Sequence, residues 1–182
     1  FPEVEAYVNK FIKGDSFILD SEAVGHNKKT KKYTDFQEIS QRIRRKHKIQ
    51  ELQKKLPVEV NIFDILYYEG KSQLDIPFRK RRKLIEKIIT NHPFKLIESK
   101  FKITSNKEEI EKFYKKALKD NQEGIMLKKL DAPYKPGRRV GHMLKIKPET
   151  NELDLVITGG EWGTGKRAGW ISSFILSCRK GD

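Results

Sequence analysis

Residues Glu123–Lys147 read EGIMLKKLDAPYKPGRRVGHMLKIK. The stretch opens on an acid, runs through the apolar IMLK, turns on Pro and Gly, and closes with lysines alternating with Leu and Ile. This pattern predicts two short strands joined by a basic loop. Successive side chains of a strand point to opposite faces, so Leu144 and Ile146 face one way and Lys145 and Lys147 the other. With Arg138 and Arg139 just before them, the lysines form a concentrated cationic site. Bound phosphate would satisfy it, and so would water. One carboxylate, Glu123, with a row of cations suits a polyphosphate and its metal, or a plain basic surface hairpin.

Composition narrows the choice. The chain has 182 residues, 36% hydrophobic and 35% charged, with a net charge of +14. That excess points to a polyanionic partner, most often nucleic acid. The single cysteine, Cys178, excludes a disulfide framework within the chain and fits a reducing cytosol. The histidines His26, His47, His92 and His142 have no ligand spacing, which argues against a structural zinc site. No apolar run approaches the about 20 residues of a membrane span, so no membrane partner is expected. The first residue is Phe, and the expectation is a piece of something longer.

Working outward, Pro2 suits the first turn of a helix with Val4, Val8 and Phe11 on one face, ended by Gly14. SFILDSEAVGH predicts a strand closed by Gly25, and HNKKTKKYT a basic loop. Asp35 and Glu38 predict a capping box for a helix carrying Phe36, Ile39, Ile43 and the charge run RIRRKHK, a solvated face or a phosphate contact. VEVNIFDILYYEGK predicts a strand ending in a turn at Glu69-Gly70. Pro77 opens a helix with the stripe Leu84, Ile85, Ile88 and Ile89, and KLIESKFKI follows as a short strand. Ser105 and Glu108 predict a second capping box, and Ile110, Phe113, Tyr114, Ala117 and Leu118 the buried face of its helix. Beyond Pro148 the pattern becomes two strands around a Gly-rich, basic connection, which predicts a boundary near residue 150.

Two further residues stand out by alternation. Glu22 shares a face with Ile18, Asp20 and Val24, and an acid there needs a partner or water. Phe63 falls with Asn61 and Ile65, and Asp64 with Ile62 and Leu66. Phe63 alone reads as core or as a ligand platform.

In order and spacing, these segments resemble the nucleotidyltransferase core of archaeal and eukaryotic ATP-dependent DNA ligases. FILDSEAV is similar to the family's third motif, a strand ending in an acid. VNIFDILYYEGK is similar to the motif in which an aromatic precedes an Asp. EGIMLKKLDAPYKPGRR and MLKIK resemble the fourth and fifth motifs, and LDLVITGGEWGTGKRAGWISSFIL the opening of an oligonucleotide-binding barrel. The resemblance implies an α+β fold. Residues 1–150 would be an ATP-grasp-like nucleotidyltransferase (adenylation) domain of mostly antiparallel sheets with flanking helices. Residues 151–182 would be the first strands of an OB-fold β-barrel.

The resemblance also implies a chemistry. In the family a lysine attacks the α-phosphate of ATP, the adenylate passes to the 5′-phosphate of a nick, and the 3′-hydroxyl displaces AMP. By resemblance Glu22 contacts the ribose, Phe63 stacks on the adenine, and Glu123 helps hold Mg²⁺. Arg139, Lys145 and Lys147 approach the phosphates, and Lys128 belongs to the nucleotide-binding set. The implied partner is nicked double-stranded DNA in replication, repair and recombination, with a sliding clamp reached through other regions. The implied setting is the cytoplasm of a prokaryote of archaeal type, or a nucleus if eukaryotic. The family's nucleophile motif, Lys-x-Asp-Gly, is absent from residues 1–182. Lys13–Asp15 is too short a match, and Lys129–Ala132 has Ala in place of Gly. The expectation is therefore a central piece of a ligase, inactive by itself. RNA ligases and capping enzymes share the acid and the lysines, but EWGTGKRAGW favours a DNA ligase. A non-catalytic nucleic-acid-binding piece is the alternative from another class.

Overall fold

The computed structural model describes residues 1–43, 47–137, 141–148 and 153–179. The chain divides into two compact units, Phe1–Lys147 and Pro148–Asp182. The fold is α+β with mostly antiparallel pairing, as expected from sequence. No helix of the described residues is long and apolar enough to cross a membrane.

The first unit is built around a long antiparallel pair, β1 (Phe17–Gly25) and β2 (Val58–Tyr68). A two-residue strand, β3 (Lys71–Ser72), folds back on β2 through the predicted Glu69-Gly70 turn, where both residues adopt positive φ. A three-residue strand, β4 (Leu96–Glu98), pairs parallel to β2. One face of this sheet is covered by α1 (Pro2–Phe11) and α4 (Phe78–Ile88). The core joins Val60, Ile62 and Ile65 of β2 to Phe11, Ile85, Ile88 and Leu96. In the chain, two short helices, α2 (Phe36–Ser40) and α3 (Ile49–Lys55), come between β1 and β2. Further along come α5 (Lys107–Lys119) and the pair β5 (Ile125–Lys128) and β6 (Met143–Ile146).

Strict alternation fails in β2. Ile65 pairs with Leu19 and Tyr67 with Ile18, so Leu66 is an extra residue; Ile62 pairs with Ser21 and Asp64 with Asp20, so Phe63 is another. Each one-residue bulge shifts the parity by one. The face toward the core therefore runs Val60, Ile62, Ile65, Tyr68 instead of every second residue. Ile65, expected beside Phe63, is wholly buried in the core instead.

Other expectations also shift. Arg42 and Ile43, at the start of the RIRRKHK run, lie beyond α2, which stops at Ser40. Arg42 is no solvated cation. Its guanidinium donates 2.5 and 3.0 Å hydrogen bonds to both carboxylate oxygens of Glu3 and a third to the Leu56 carbonyl. Residues 44–46 of the run lie outside the described residues. The second cap belongs to Asn106, one residue beyond Ser105. Its side chain accepts from the backbone N–H of Glu108 and Glu109, while Glu109 reaches back to Thr104. Asp35 is the N-cap of α2, but its side chain makes no capping hydrogen bond. In α5, Ile110, Phe113, Tyr114, Ala117 and Leu118 form the inner face as predicted, but only half-buried.

The second unit is a hairpin of β7 (Val156–Trp162) and β8 (Ile171–Ser177). A single 3₁₀ turn at Gly165–Arg167 lies in the connection predicted to be free of helix. Trp162, Trp170, Phe174 and Leu176 are 70%, 76%, 58% and 52% exposed, so both edges and a broad apolar face meet solvent. At moderate salt the 182-residue polypeptide should self-associate despite its charge, as measured by light scattering against concentration. Phe174→Ser with Leu176→Ser should reduce that association. A monodisperse monomer in the unsubstituted chain would contradict the expectation.

Candidate functional site

The opening stretch forms the predicted antiparallel pair in simple register. Ile125, Met126, Leu127 and Lys128 face Ile146, Lys145, Leu144 and Met143 in turn. A close approach makes this possible at one end. Gly124 has φ +140°, and a Cβ there would sit 2.0 Å from the Ile146 carbonyl oxygen. Only glycine fits. Glu123 is thereby carried against the end of β6. Its carboxylate accepts a 2.7 Å hydrogen bond from Lys147 Nζ, and Lys145 Nζ lies 3.7 Å from the same oxygen. All three side chains are about half exposed. The Lys147 hydrogen bond holds the Glu123 carboxyl below the ordinary carboxylate value, and the Glu123 contact raises Lys147. Glu22 adds the smallest share to the field that raises Lys147.

Glu22 is exposed and pairs across the strands with Asn61. The apolar face expected around it is open, since Ile18 is itself 56% exposed. The bulge turns Phe63 and Asp64 to the same side, because one lysine reaches both. Lys128 Nζ lies 5.1 Å from the centre of the Phe63 ring, 4.9 Å from that of Phe78, and 3.6 Å from Asp64 Oδ2. Burial lowers the Lys128 pKa, while Asp64 opposes that shift. Phe63 and Lys128 line a cleft of about 470 Å³ with Asn61, Ile97, Phe113 and Met126. That volume falls within the about 300–1,000 Å³ typical of small-molecule sites.

The structure thus places Phe63 and Lys128 in the cleft wall, gathers Glu123, Lys145 and Lys147 at the end of the β5–β6 pair that borders it, and sets Glu22 opposite Asn61 of the same wall. Arg138 and Arg139 lie outside the described residues. Sequence reasoning missed the layer beneath. Asp64 is 2% exposed and held in a bidentate pair by Arg81 of α4, at 2.7 and 3.1 Å. Asp20, directly opposite Asp64, accepts a hydrogen bond from Tyr134. The signal for Arg81 was its spacing: it stands four residues before Ile85 and seven before Ile88, on the buried stripe of α4.

The donor set suits a divalent cation held with a nucleotide. No cluster of three or more His, Cys, Asp or Glu exists among the described residues. Mg²⁺ usually takes one or two carboxylates, the rest of its shell being phosphate oxygens and water. The exposed Glu123 is one such carboxylate, and Lys145 and Lys147 stand ion-paired beside it.

A family model described as "ATP dependent DNA ligase domain" matches residues 1–147. A DNA ligase of Nanoarchaeum equitans is 44% identical over all of this chain, which spans 32% of that protein. A DNA ligase of Thermococcus onnurineus is 43% identical over 97% of the chain, which spans 31% of it. The chain thus spans about a third of the length of these relatives. Among solved structures, mycobacterial DNA ligase D complexed with ATP and MES matches with a TM-score of 0.53 at 25% identity, covering 88% of this chain and 45% of that one.

Proposed function

The chain belongs to the ATP-dependent DNA ligase domain family, and on that premise we propose that it is the nucleotide-holding part of an ATP-dependent DNA ligase. The whole enzyme would seal nicks in duplex DNA through lysyl-adenylate and DNA-adenylate intermediates, in replication, repair and recombination. The observation that carries this is the convergence of Glu123, Lys145 and Lys147 at one end of the β5–β6 pair, beside a cleft walled by Phe63. Relatives named as DNA ligases favour this over RNA ligase or capping chemistry. Their archaeal sources support a cytoplasmic setting.

The roles follow from the physics of the groups. Phosphoryl transfer depends on positioning and on stabilising charge more than on acid–base chemistry. Phe63 offers the adenine a flat face, and Glu22 is free to accept from the ribose hydroxyls. Lys145 and Lys147 act as point charges on the phosphates, joined by Arg139. In the structure both lysines are paired with Glu123, so nucleotide would exchange one anion for another. A divalent metal at Glu123 would neutralise phosphate charge. Lys128, wedged between Phe63, Phe78 and Asp64, would serve the nucleotide by backing the ring. The hairpin of the second unit would supply two strands of a five-stranded OB barrel.

The test is Phe63→Ala and Phe63→Tyr in a ligase polypeptide that carries this chain. Base–aromatic stacking is worth about 1–3 kcal/mol, so alanine should raise the KM for ATP about tenfold or more. Tyrosine should restore most of it, and an unchanged KM with alanine would sink the proposal.

A further inference from the structure

We propose that Arg81, with Arg82 beside it, is a positioning residue that clamps the two neighbours of Phe63 and so holds the bulged ring in the cleft. The proposal rests on Phe63 being the base platform and adds what fixes its pose.

Successive residues of a helix point about 100° apart and do not face one another. Two consecutive arginines on α4 are nevertheless both buried, at 2% and 5% exposure. They go to opposite flanks of the same bulged residue. Arg81 grips the Asp64 carboxylate with Nε and Nη2. Arg82 Nη1 donates to the Ile62 carbonyl, and its Nη2 reaches Glu98 of the neighbouring strand β4 and the Ser99 carbonyl just beyond it. Phe63 is the residue between.

A bulge leaves its extra residue out of the ladder and disrupts pairing locally. The structure compensates. Asp64 Oδ1 accepts from the Ile65 N–H while bound to Arg81. Arg81 Nη1 is used as well, on the carbonyls of Ile76 and Ala132. Arg81 therefore joins the strand bearing Phe63 to the loop that precedes α4 and to the loop that follows β5. Lys128 closes the arrangement, lying over Phe63 and against the same Asp64 carboxylate. The ring is thus located by a rigid planar fork on the residue after it and a cation over its face. A lysine at 81 would keep the charge but not the fork.

The test uses a ligase polypeptide carrying this chain, with Arg81→Lys measured beside Phe63→Ala. A displaced platform weakens the hold on the base and leaves the phosphate contacts in place. Arg81→Lys should raise the KM for ATP about tenfold, with a smaller loss in kcat. Inhibition by pyrophosphate, which has no base, should stay within about twofold. A purely structural role for Arg81 would lower the melting temperature and leave this split unmoved. If Phe63→Ala raises the KM and a folded Arg81→Lys does not, the clamp is overturned and the platform stands. If Phe63→Ala leaves the KM unchanged, the platform falls and the clamp with it. Should Arg81→Lys fail to fold, Arg82→Lys frees the other flank and is judged by the same ratio of ATP KM to pyrophosphate inhibition.

Discussion

Lys145→Ala should slow single-turnover adenylation about a hundredfold to a thousandfold in a ligase that carries this chain, with nick binding nearly intact. One charge-assisted contact aimed at developing charge is worth about 2.7–4 kcal/mol. Lys145 is placed for such a contact: it stands opposite Met126, which lines the cleft, with its ammonium 3.7 Å from the Glu123 carboxylate. A lysine that served only the DNA backbone would behave otherwise. Its loss would weaken binding to all sequences alike and lower the salt slope by about one unit. The adenylation rate and the salt dependence of nick binding should therefore be measured together. An intact rate with a shallower slope would make MLKIK a DNA-contact strand.

Arg42→Ala should destabilise the first unit by about 3–5 kcal/mol, because it leaves a buried charge unpaired. Arg42 and Glu3 are each 4% exposed at the side chain, and their pair ties α1 to the segment after α2. Domains of this size hold only about 5–15 kcal/mol in all, so much of the margin would go. Denaturant titration of the 182-residue chain in the Phe174→Ser, Leu176→Ser background, which should limit association, reads the effect. Removing both charges together, as Glu3→Leu with Arg42→Met, should recover most of the loss, since well-packed apolar pairs often replace buried ion pairs without cost. A single variant within about 1 kcal/mol of the parent would show that water reaches the site.

The same arginine marks where sequence reading stopped. Period and spacing located most strands and helices, including the two short strands EGIMLK and MLKIK, because those signals are local, but not α3. Glu123, Lys145 and Lys147 were legible for that reason: their meeting depends only on one strand pair. Arg42 looked like part of a charged surface, because its partner Glu3 lies 39 residues away. Alternation gives Phe63 the right neighbour in Asn61 and the wrong one in Ile65. No pattern of apolar residues announces a bulge, since the extra residue is defined by the partner strand. Alternation puts Asp64 with Ile62 and Leu66, but the bulge takes it off the Ile62 face, and its role depends on Arg81, 17 residues on. Ser105 and Asn106 are both good cap residues, and the choice between them lay in a backbone angle that the sequence does not display.

The extra residue at Phe63 also bears on how such a protein can be improved. Deleting it would let Ser21, Asp20 and their partners zip into an unbroken ladder and would relieve the clamp from supporting an interruption. Selection or design for heat resistance alone would then reward the shorter strand, while the ring that is proposed to read the base would vanish from the cleft. Natural proteins commonly give up some stability where activity needs an irregular backbone. A library of thermostable descendants should accordingly split at this one position. Variants screened for folding alone would lose the residue, and those also required to turn over ATP would keep it.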